Sequence, residues 1–303
     1  MIEATLRFLE QMENGSVEWI RRPIMARYTS FHIGGVAELL IYPATAEALC
    51  TIVDYLRQIE MKHVVLGRMT NLLFADEDYC GAVVCTSHIK GITQDGPAVI
   101  AECGVTLAEL CRYLRDASLT GHEFAYGIPG SVGGAVFMNA GAGGKELSDI
   151  LRTVTYYDAK EGKVHTIPAD ACGFAYRSSV FQSSPDWFIL RAEFMLAQGD
   201  KAAIQADMDA RMAKRSAAQP LEYPNAGSTF KRNGQCIVSK LIDETGLKGL
   251  RVGDAEVSCK HAGFIVNRGN ATARDVRQLI RQIKEIILEK HGITLSEEIL
   301  FIE

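Results

Sequence analysis

Between residues 127 and 144 the sequence GIPGSVGGAVFMNAGAGG places glycines at 127, 130, 133, 134, 141, 143 and 144, far denser than a loop needs for turning alone. Glycine brings backbone amides up to a ligand with no side chain in between, and successive amides in a turn form a concave anion site. Ser131 adds a hydroxyl that can donate to a phosphate, and the segment after it has the composition of a short helix, whose amino end favours anions. A second loop, Gly67-Arg68-Met69-Thr70-Asn71, follows the apolar run His63-Val64-Val65-Leu66. Two such loops suit a long ligand such as a dinucleotide pyrophosphate. The alternative is that Gly133-Gly134-Ala135 only lets a buried helix pack tightly. Neither loop matches G-x-G-x-x-G in a strand-turn-helix context, and no G-x-x-x-x-G-K-[ST] occurs, so a cradle here is neither of Rossmann nor of Walker type.

The elements that must carry these loops follow from periodicity. A helix is expected over residues 3–12, then a strand Ala37–Pro43 closed by its proline, and a helix Thr45–Glu60 with Leu49, Ile52, Val53 and Leu56 on one face. Residues 63–66 form a buried strand delivering the chain into the first glycine loop. Strand-helix-strand-loop is a nucleotide-binding arrangement in outline. Strands are expected at 82–85 and 98–103, then an amphipathic helix Thr106–Ser118 with Leu107, Leu110, Cys111 and Leu114 inward. Further strands are expected at 154–157 and 187–190. Composition shifts near residue 200, where an Ala-, Lys- and Arg-rich helix (201–218) precedes Pro220 and Pro224 and marks a domain boundary. The last third alternates a helix Gln235–Glu244 stopped by Gly246, a strand Ala262–Asn267, and a long helix Ala273–Lys290 ending at Gly292. Thr272 and Asp275 form a capping box for that helix, and Val276, Leu279, Ile280, Ile283 and Ile287 its buried stripe.

The 303 residues, 48% of them hydrophobic, suffice for two or three domains with a large core. A formal charge of −5 gives no basic field for nucleic acid, so the expected partner is a small molecule. The first 23 residues carry Glu3, Arg7, Glu10, Glu13 and Arg21, unlike a signal peptide, and no segment has the run of about 18 apolar residues that spans a bilayer. Eight scattered cysteines without a C-x-x-C pair are expected to be reduced thiols of a cytoplasmic protein, and the histidine spacings offer no metal site.

At this point a resemblance is specific. Thr29-Ser30-Phe31-His32-Ile33-Gly34-Gly35, Asn71-Leu72-Leu73, the 127–144 segment, Tyr176-Arg177-Ser178-Ser179-Val180-Phe181, Gly227-Ser228-Thr229-Phe230-Lys231 and Lys260-His261-Ala262-Gly263-Phe264-Ile265-Val266-Asn267 occur in the order found in the UDP-N-acetylenolpyruvoylglucosamine reductase family. The similarity covers nearly the whole chain, and GIPGSVGGAVFMNAGA is its most specific part. It implies an α+β fold: a two-lobed FAD-binding domain of the PCMH/vanillyl-alcohol-oxidase type, then a smaller α+β substrate-binding domain. The corresponding segments would be an N-terminal helical stretch (1–20), FAD lobes at 21–80 and 81–200 with FAD between them, and a substrate domain at 201–303. The chain lacks the inserted tyrosine-bearing loop of the longer subclass and resembles the short one.

The resemblance also implies chemistry. NADPH would reduce non-covalent FAD and leave, and the enolpyruvyl sugar nucleotide would then take its place. Hydride arriving at the terminal carbon of an enolpyruvyl group pushes electrons toward its carboxylate, which calls for positive charge there and an acid beside the adjacent carbon. Arg177, Ser228 and Glu298 match the family's catalytic positions, with Ser228 as proton donor and Arg177 and Glu298 polarising the developing enolate. Ser228 would need a neighbouring cation, for which Lys231 and Lys240 are the expected sources. FAD would be held by Thr29, Gly34 and Gly35, by Leu66, Gly67, Arg68, Met69, Thr70, Asn71 and Leu72, and by Gly127, Pro129, Gly130, Ser131, Gly133, Gly134, Ala135, Asn139, Ala140 and Gly141. Substrate would meet Tyr176, Arg177, Asn225, Lys231, Lys240 and His261, with Lys248 and Asn267 as further pocket positions; a core histidine is the commoner meaning of His261. A monomer or weak dimer is expected.

Three positions depart from the family pattern. Met69-Thr70 stands where a Gly-Ser pair is usual, so Arg68 or the Met69 amide is expected to compensate. Asn233 replaces a proline, and Ser296 replaces a glutamate, which leaves the assignment of Glu298 to the G-I-T-L-x-x-E-I frame. The competing enzyme class is an FAD-dependent sugar or alcohol oxidase, which often tethers flavin through a histidine that the Arg68-Met69-Thr70 loop does not offer. A non-catalytic flavin-binding protein is the other alternative.

Overall fold

A computed structural model describes residues 1–234 and 236–303. Contacts divide the chain into two compact units, each discontinuous in sequence: Met1–Arg21, Glu38–Arg68 and Cys80–Ala213 form the first, and Arg22–Ala37, Met69–Tyr79 and Lys214–Glu303 the second.

The first unit opens with α1 (Ile2–Gln11) and holds two larger sheets beside two two-stranded ones. In the first sheet β1 (Val17–Arg21) pairs antiparallel with β2 (Ala37–Pro43), and β3 (His63–Leu66) pairs in parallel with β5 (Tyr79–Cys85), in the order β1-β2-β5-β3. Thr45 caps α2 (Ala46–Gln58) by accepting from the Ala48 N–H, and Leu49, Ile52, Val53 and Leu56 are buried as their spacing requires. The strand-helix-strand outline is present, but β2 and β3 are not neighbours, because β5 lies between them.

The second sheet is antiparallel throughout. It contains β6 (Ile92–Asp95), β7 (Ala98–Glu102), β8 (Leu151–Asp158), β9 (Lys163–Pro168) and β10 (Trp187–Met195), in the order β9-β8-β10-β7-β6. Helix α3 (Leu107–Asp116) starts from a capping box of Thr106 and Glu109 and buries Leu107, Leu110, Cys111 and Leu114. The glycine-rich stretch contains the six-residue helix α4 (Val132–Phe137) and a two-residue strand, Gly141–Ala142.

α5 (Lys201–Ala218) runs through Ala213–Lys214, the point where the contacts divide, while composition shifts earlier, near residue 200. In the second unit, α7 (Ala273–His291) has the expected Thr272/Asp275 capping box, a left-handed C-cap at Gly292, and a buried stripe from Val276 to Ile287. It packs with the sheet containing β11 (Asn225–Ser228), β12 (Arg251–Val252), β13 (Ala255–Val257) and β14 (Phe264–Asn267), in the order β11-β14-β13-β12. α6 spans Val238–Glu244, shorter than the expected 235–244, and Gln235 lies outside the described residues. Two short strands far apart in sequence, β4 (Leu72–Phe74) and β15 (Leu300–Ile302), pair in parallel. Among the described residues no helix is long and apolar enough to cross a membrane.

Candidate active site

In the first unit the two glycine loops meet. β3 ends at Leu66 and turns at Gly67, whose carbonyl accepts from the Cys85 thiol (3.3 Å), while Leu66 O accepts from Thr86 Oγ1 (3.4 Å). Facing Gly67 is Ser131: a Cβ on Gly67 would lie 2.5 Å from Ser131 Oγ and 4.0 Å from Gly134 N. Ser131 is buried, and its hydroxyl has no hydrogen-bond partner among the described residues. A buried hydroxyl without a partner costs about 1–3 kcal/mol, the kind of cost a bound polar ligand would offset. FAD fits such a cradle: its pyrophosphate accepts from a hydroxyl and from backbone amides.

The other glycines of that stretch have different reasons. A Cβ on Gly133 would sit 2.9 Å from Cys103 Cβ, and one on Gly141 would overlap the Lys145 carbonyl, so both glycines are required by the protein's own packing. Ala135 is buried, and its carbonyl accepts from the Ala140 N–H. Asn139 is fully buried at φ 41°, donating to Glu146 Oε2 (2.8 Å) and Ala175 O (3.1 Å) and accepting from Ser148 N (3.1 Å). Gly130 O accepts from Leu107 N (3.1 Å), tying the loop to the start of α3, and Pro129 is exposed.

Asn139 and Gly141 also seat Arg177. Ala175 and Ser178 exchange both backbone hydrogen bonds (3.2 and 3.0 Å), which puts Tyr176 and Arg177 at the tip of a tight turn with Arg177 at φ 53°. The guanidinium donates to Gly141 O (3.0 Å) and Asn139 O (3.4 Å) and lies 5.0 Å from the Tyr176 ring centroid. The left-handed backbone of a non-glycine residue is the kind of strain found at functional sites.

In the second unit the expected cofactor positions have structural duties. Thr29 Oγ1 donates to Ile33 O (3.0 Å) and accepts from Ile33 N (3.3 Å), closing a buried turn. A Cβ on Gly34 would lie 2.8 Å from Phe74 Cβ, and one on Gly35 would overlap the Glu77 carbonyl. Met69 is buried at φ 54°, a conformation glycine adopts without cost, and its carbonyl accepts from Ser30 N (3.2 Å). Thr70 is half-buried, Arg68 exposed and Leu72 buried in β4. Asn71 Nδ2 donates to Glu298 O (3.1 Å).

Ser228 ends β11, half-buried, paired with Phe264. The residue after it, Thr229, accepts from Glu298 N (2.8 Å), and Lys231 N donates to Ser296 O (2.9 Å). The unit thus sets Ser228 and Glu298 on adjacent backbone. Lys231 is half-buried on the same segment, whereas Lys240 is exposed and pairs with Glu244 at 3.5 Å, and Lys248 pairs with Asp243 at 2.7 Å. The His261 ring accepts from Gly263 N through Nδ1 (3.2 Å) and packs edge-on against Phe264; burial pushes its pKa below the usual histidine range. Asn225 spends its amide on Pro220 O (3.3 Å), Tyr223 O (2.8 Å) and Gly227 N (2.9 Å), and buried Asn267 likewise on Phe31 O, Gly269 N and Ala271 N. The second unit holds Ser228 and Glu298, and Arg177 belongs to the first.

Comparison with known proteins bears on both units. The family model for the UDP-N-acetylenolpyruvoylglucosamine reductase C-terminal domain matches residues 219–302, and that for an FAD binding domain matches 37–168. The UDP-N-acetylenolpyruvoylglucosamine reductase of Caldanaerobacter subterraneus subsp. tengcongensis is 41% identical over 91% of this chain and 90% of its own, and that of Levilactobacillus brevis 42% over 95% and 94%. The chain belongs to the UDP-N-acetylenolpyruvoylglucosamine reductase family. The crystal structure of the reductase from Thermus caldophilus matches with a TM-score of 0.79 and 34% identity, covering 94% of this chain and 99% of that one.

Like other members of the reductase family, the chain is an FAD-dependent oxidoreductase with the PCMH-type FAD-binding fold and a C-terminal domain. Sequence reasoning missed several residues that shape these sites. Cys85 hydrogen-bonds Gly67, and Thr229 pairs with Glu298. Asp76 accepts from Ala273 N (2.7 Å) and Arg274 N (3.0 Å), capping α7 from a distant loop. Their only local signals were a cysteine in a strand, a threonine after the catalytic-position serine, and an acid in a turn.

Proposed function

We propose that the protein reduces the enolpyruvyl group of UDP-N-acetylenolpyruvoylglucosamine to give UDP-N-acetylmuramate for peptidoglycan, with NADPH as the source of electrons. What carries this reading is family membership over nearly the full length, with Arg177, Ser228 and Glu298 in the frames the family uses. When bound, FAD supplies two-electron carriage from NADPH to the substrate. Residues 21–80 and 81–200 would hold it as two lobes, and residues 201–303 would receive the sugar nucleotide; cytoplasm is the compartment where that substrate and NADPH meet.

The chain's own groups do the rest. Gly67, Ser131 and Gly134 would hold the pyrophosphate with amides and one hydroxyl. Arg177 supplies fixed positive charge to the substrate carboxylate; its turn and the carbonyls of Asn139 and Gly141 pre-set the guanidinium, so little reorganisation is needed as charge develops. Ser228 Oγ holds the proton for the carbon next to that carboxylate, and half-buried Lys231 on the same segment supports loss of that proton better than exposed Lys240 does. Glu298 would help polarise the developing enolate. Tyr176, Asn225 and His261 would contribute around the sugar nucleotide, with the side chains of Asn225 and His261 acting mainly through the backbone they hold.

The experiment is anaerobic mixing of the NADPH-reduced protein with UDP-N-acetylenolpyruvoylglucosamine while the flavin absorbance is followed. Rapid reoxidation with formation of UDP-N-acetylmuramate is expected. Reoxidation by oxygen but not by this substrate would overturn the proposal in favour of an oxidase.

A further inference from the structure

We infer that the Asn71 side chain is a positioning residue for Glu298, holding the catalytic carboxylate's backbone from within the first glycine loop; the inference rests on the role proposed for Glu298 above. Glu298 does not lie in a strand. It precedes β15, which begins at Leu300, so no pleat sets the direction of its side chain. Two hydrogen bonds hold its peptide groups instead. Its N–H donates to Thr229 O (2.8 Å), beside Ser228, and its carbonyl accepts from Asn71 Nδ2 (3.1 Å).

Asn71 grips the segment twice, since its own carbonyl accepts from Leu300 N (3.0 Å) at the start of the β4–β15 pairing. The backbone bond survives any substitution at position 71; the side-chain bond does not. The neighbouring Glu297 is anchored separately, by an ion pair with Lys284 (2.8 Å) and a bridge to Phe230, so the Asn71 amide is a restraint on Glu298 itself. An asparagine beside a phosphate-cradling loop would ordinarily be read as a cofactor contact. Here the amide nitrogen is directed at the protein's own catalytic segment. The loop expected to seat the flavin therefore also fixes the carboxylate that acts on substrate, and the separation of half-reactions exposes this.

The test compares Asn71→Asp, which replaces the donor with an acceptor of the same shape, and Asn71→Ser, which is too short to reach, with Glu298→Gln and the double variants. In both Asn71 variants the rate of flavin reduction by NADPH, measured on flavin-saturated protein, is expected to fall by less than the rate of reoxidation. Reoxidation by the enolpyruvyl substrate should fall about tenfold at saturating substrate, with KM within about twofold. Added to Glu298→Gln, the Asn71 changes should slow reoxidation no further. Loss of FAD affinity with both half-reactions slowed together, or a fully additive effect with Glu298→Gln, overturns the inference. A wild-type rate in Glu298→Gln alone instead sinks the role proposed for Glu298, a result independent of position 71. Should Asn71→Asp fail to fold, Asn71→Ser carries the same comparison.

Discussion

The Ser131 hydroxyl faces the Cα of Gly67 so closely that a methyl group on Gly67 would stand 2.5 Å from it. A hydroxyl held there without a partner costs stability, and replacing it tests a ligand role for Ser131. Ser131→Ala is expected to leave the thermal midpoint of the flavin-free protein unchanged or higher, because it removes a buried hydroxyl with no partner. FAD affinity should fall about tenfold, the effect of losing about one hydrogen bond to a charged group. Flavin titration and melting of the apoprotein measure the two separately, and equal loss of both would contradict the assignment.

Arg177 offers the same contrast between stability and activity. Its φ of 53° costs a non-glycine residue about 1 kcal/mol, while its guanidinium bonds to Gly141 and Asn139 offset part of that. Arg177→Gly should change the unfolding free energy by no more than about 1 kcal/mol in either direction, yet lower kcat by on the order of a hundredfold or more. Chemical denaturation beside steady-state kinetics checks it.

Gly35 is closely packed. A Cβ there would overlap the Glu77 carbonyl and approach the Asp76 carbonyl to 2.5 Å, in the loop whose Asp76 carboxylate caps α7. Gly35→Ala should cost about 1–3 kcal/mol by displacing that loop. A lowered midpoint of unfolding is expected even without ligand; a loss confined to FAD binding would show that the glycine serves the cofactor instead.

His122 makes the fold acid-sensitive. It is buried against Phe194 and Phe124, with Nδ1 3.1 Å from Cys111 Sγ, and burial depresses its pKa from 6.5 to about 4, only partly opposed by Glu123. Between those values the unfolded chain takes up a proton that the folded chain refuses, so this stabilisation is full above pH 6.5 and is lost as the pH falls toward 4. The loss should approach about 3 kcal/mol. Urea unfolding across that range should show the slope, and His122→Phe should flatten it.

Position 69 tests the departure from the family pattern. Met69 occupies a left-handed backbone where glycine is usual, and its side chain is buried. Met69→Gly should relieve about 1 kcal/mol of backbone strain but lose about 2–3 kcal/mol of burial, lowering the melting temperature overall. Arg68→Ala should weaken FAD binding if the guanidinium compensates for the missing glycine; unchanged affinity would leave the Met69 amide in that role.

What the sequence determined by itself was whatever a few neighbouring residues decide among themselves. The buried stripes of α2, α3 and α7, the Thr272/Asp275 capping box and the density of glycine around Ser131 are local patterns, since helical period, capping and backbone freedom act over one or two turns. Motif order carried the family, and with it the expectation that Arg177, Ser228 and Glu298 are the catalytic positions. The tertiary structure alone decided what each glycine faces: a Cβ on Gly67 would meet the Ser131 hydroxyl, whereas one on Gly35, Gly133 or Gly141 would meet other parts of the chain. It alone joined β4 to β15, Asp76 to α7, and Asn71 to Glu298. Each of those contacts spans about two hundred residues of chain, and nothing in either segment's periodicity records its partner, because strand pairing and hydrogen bonding at that separation are chosen by the packing of the whole unit.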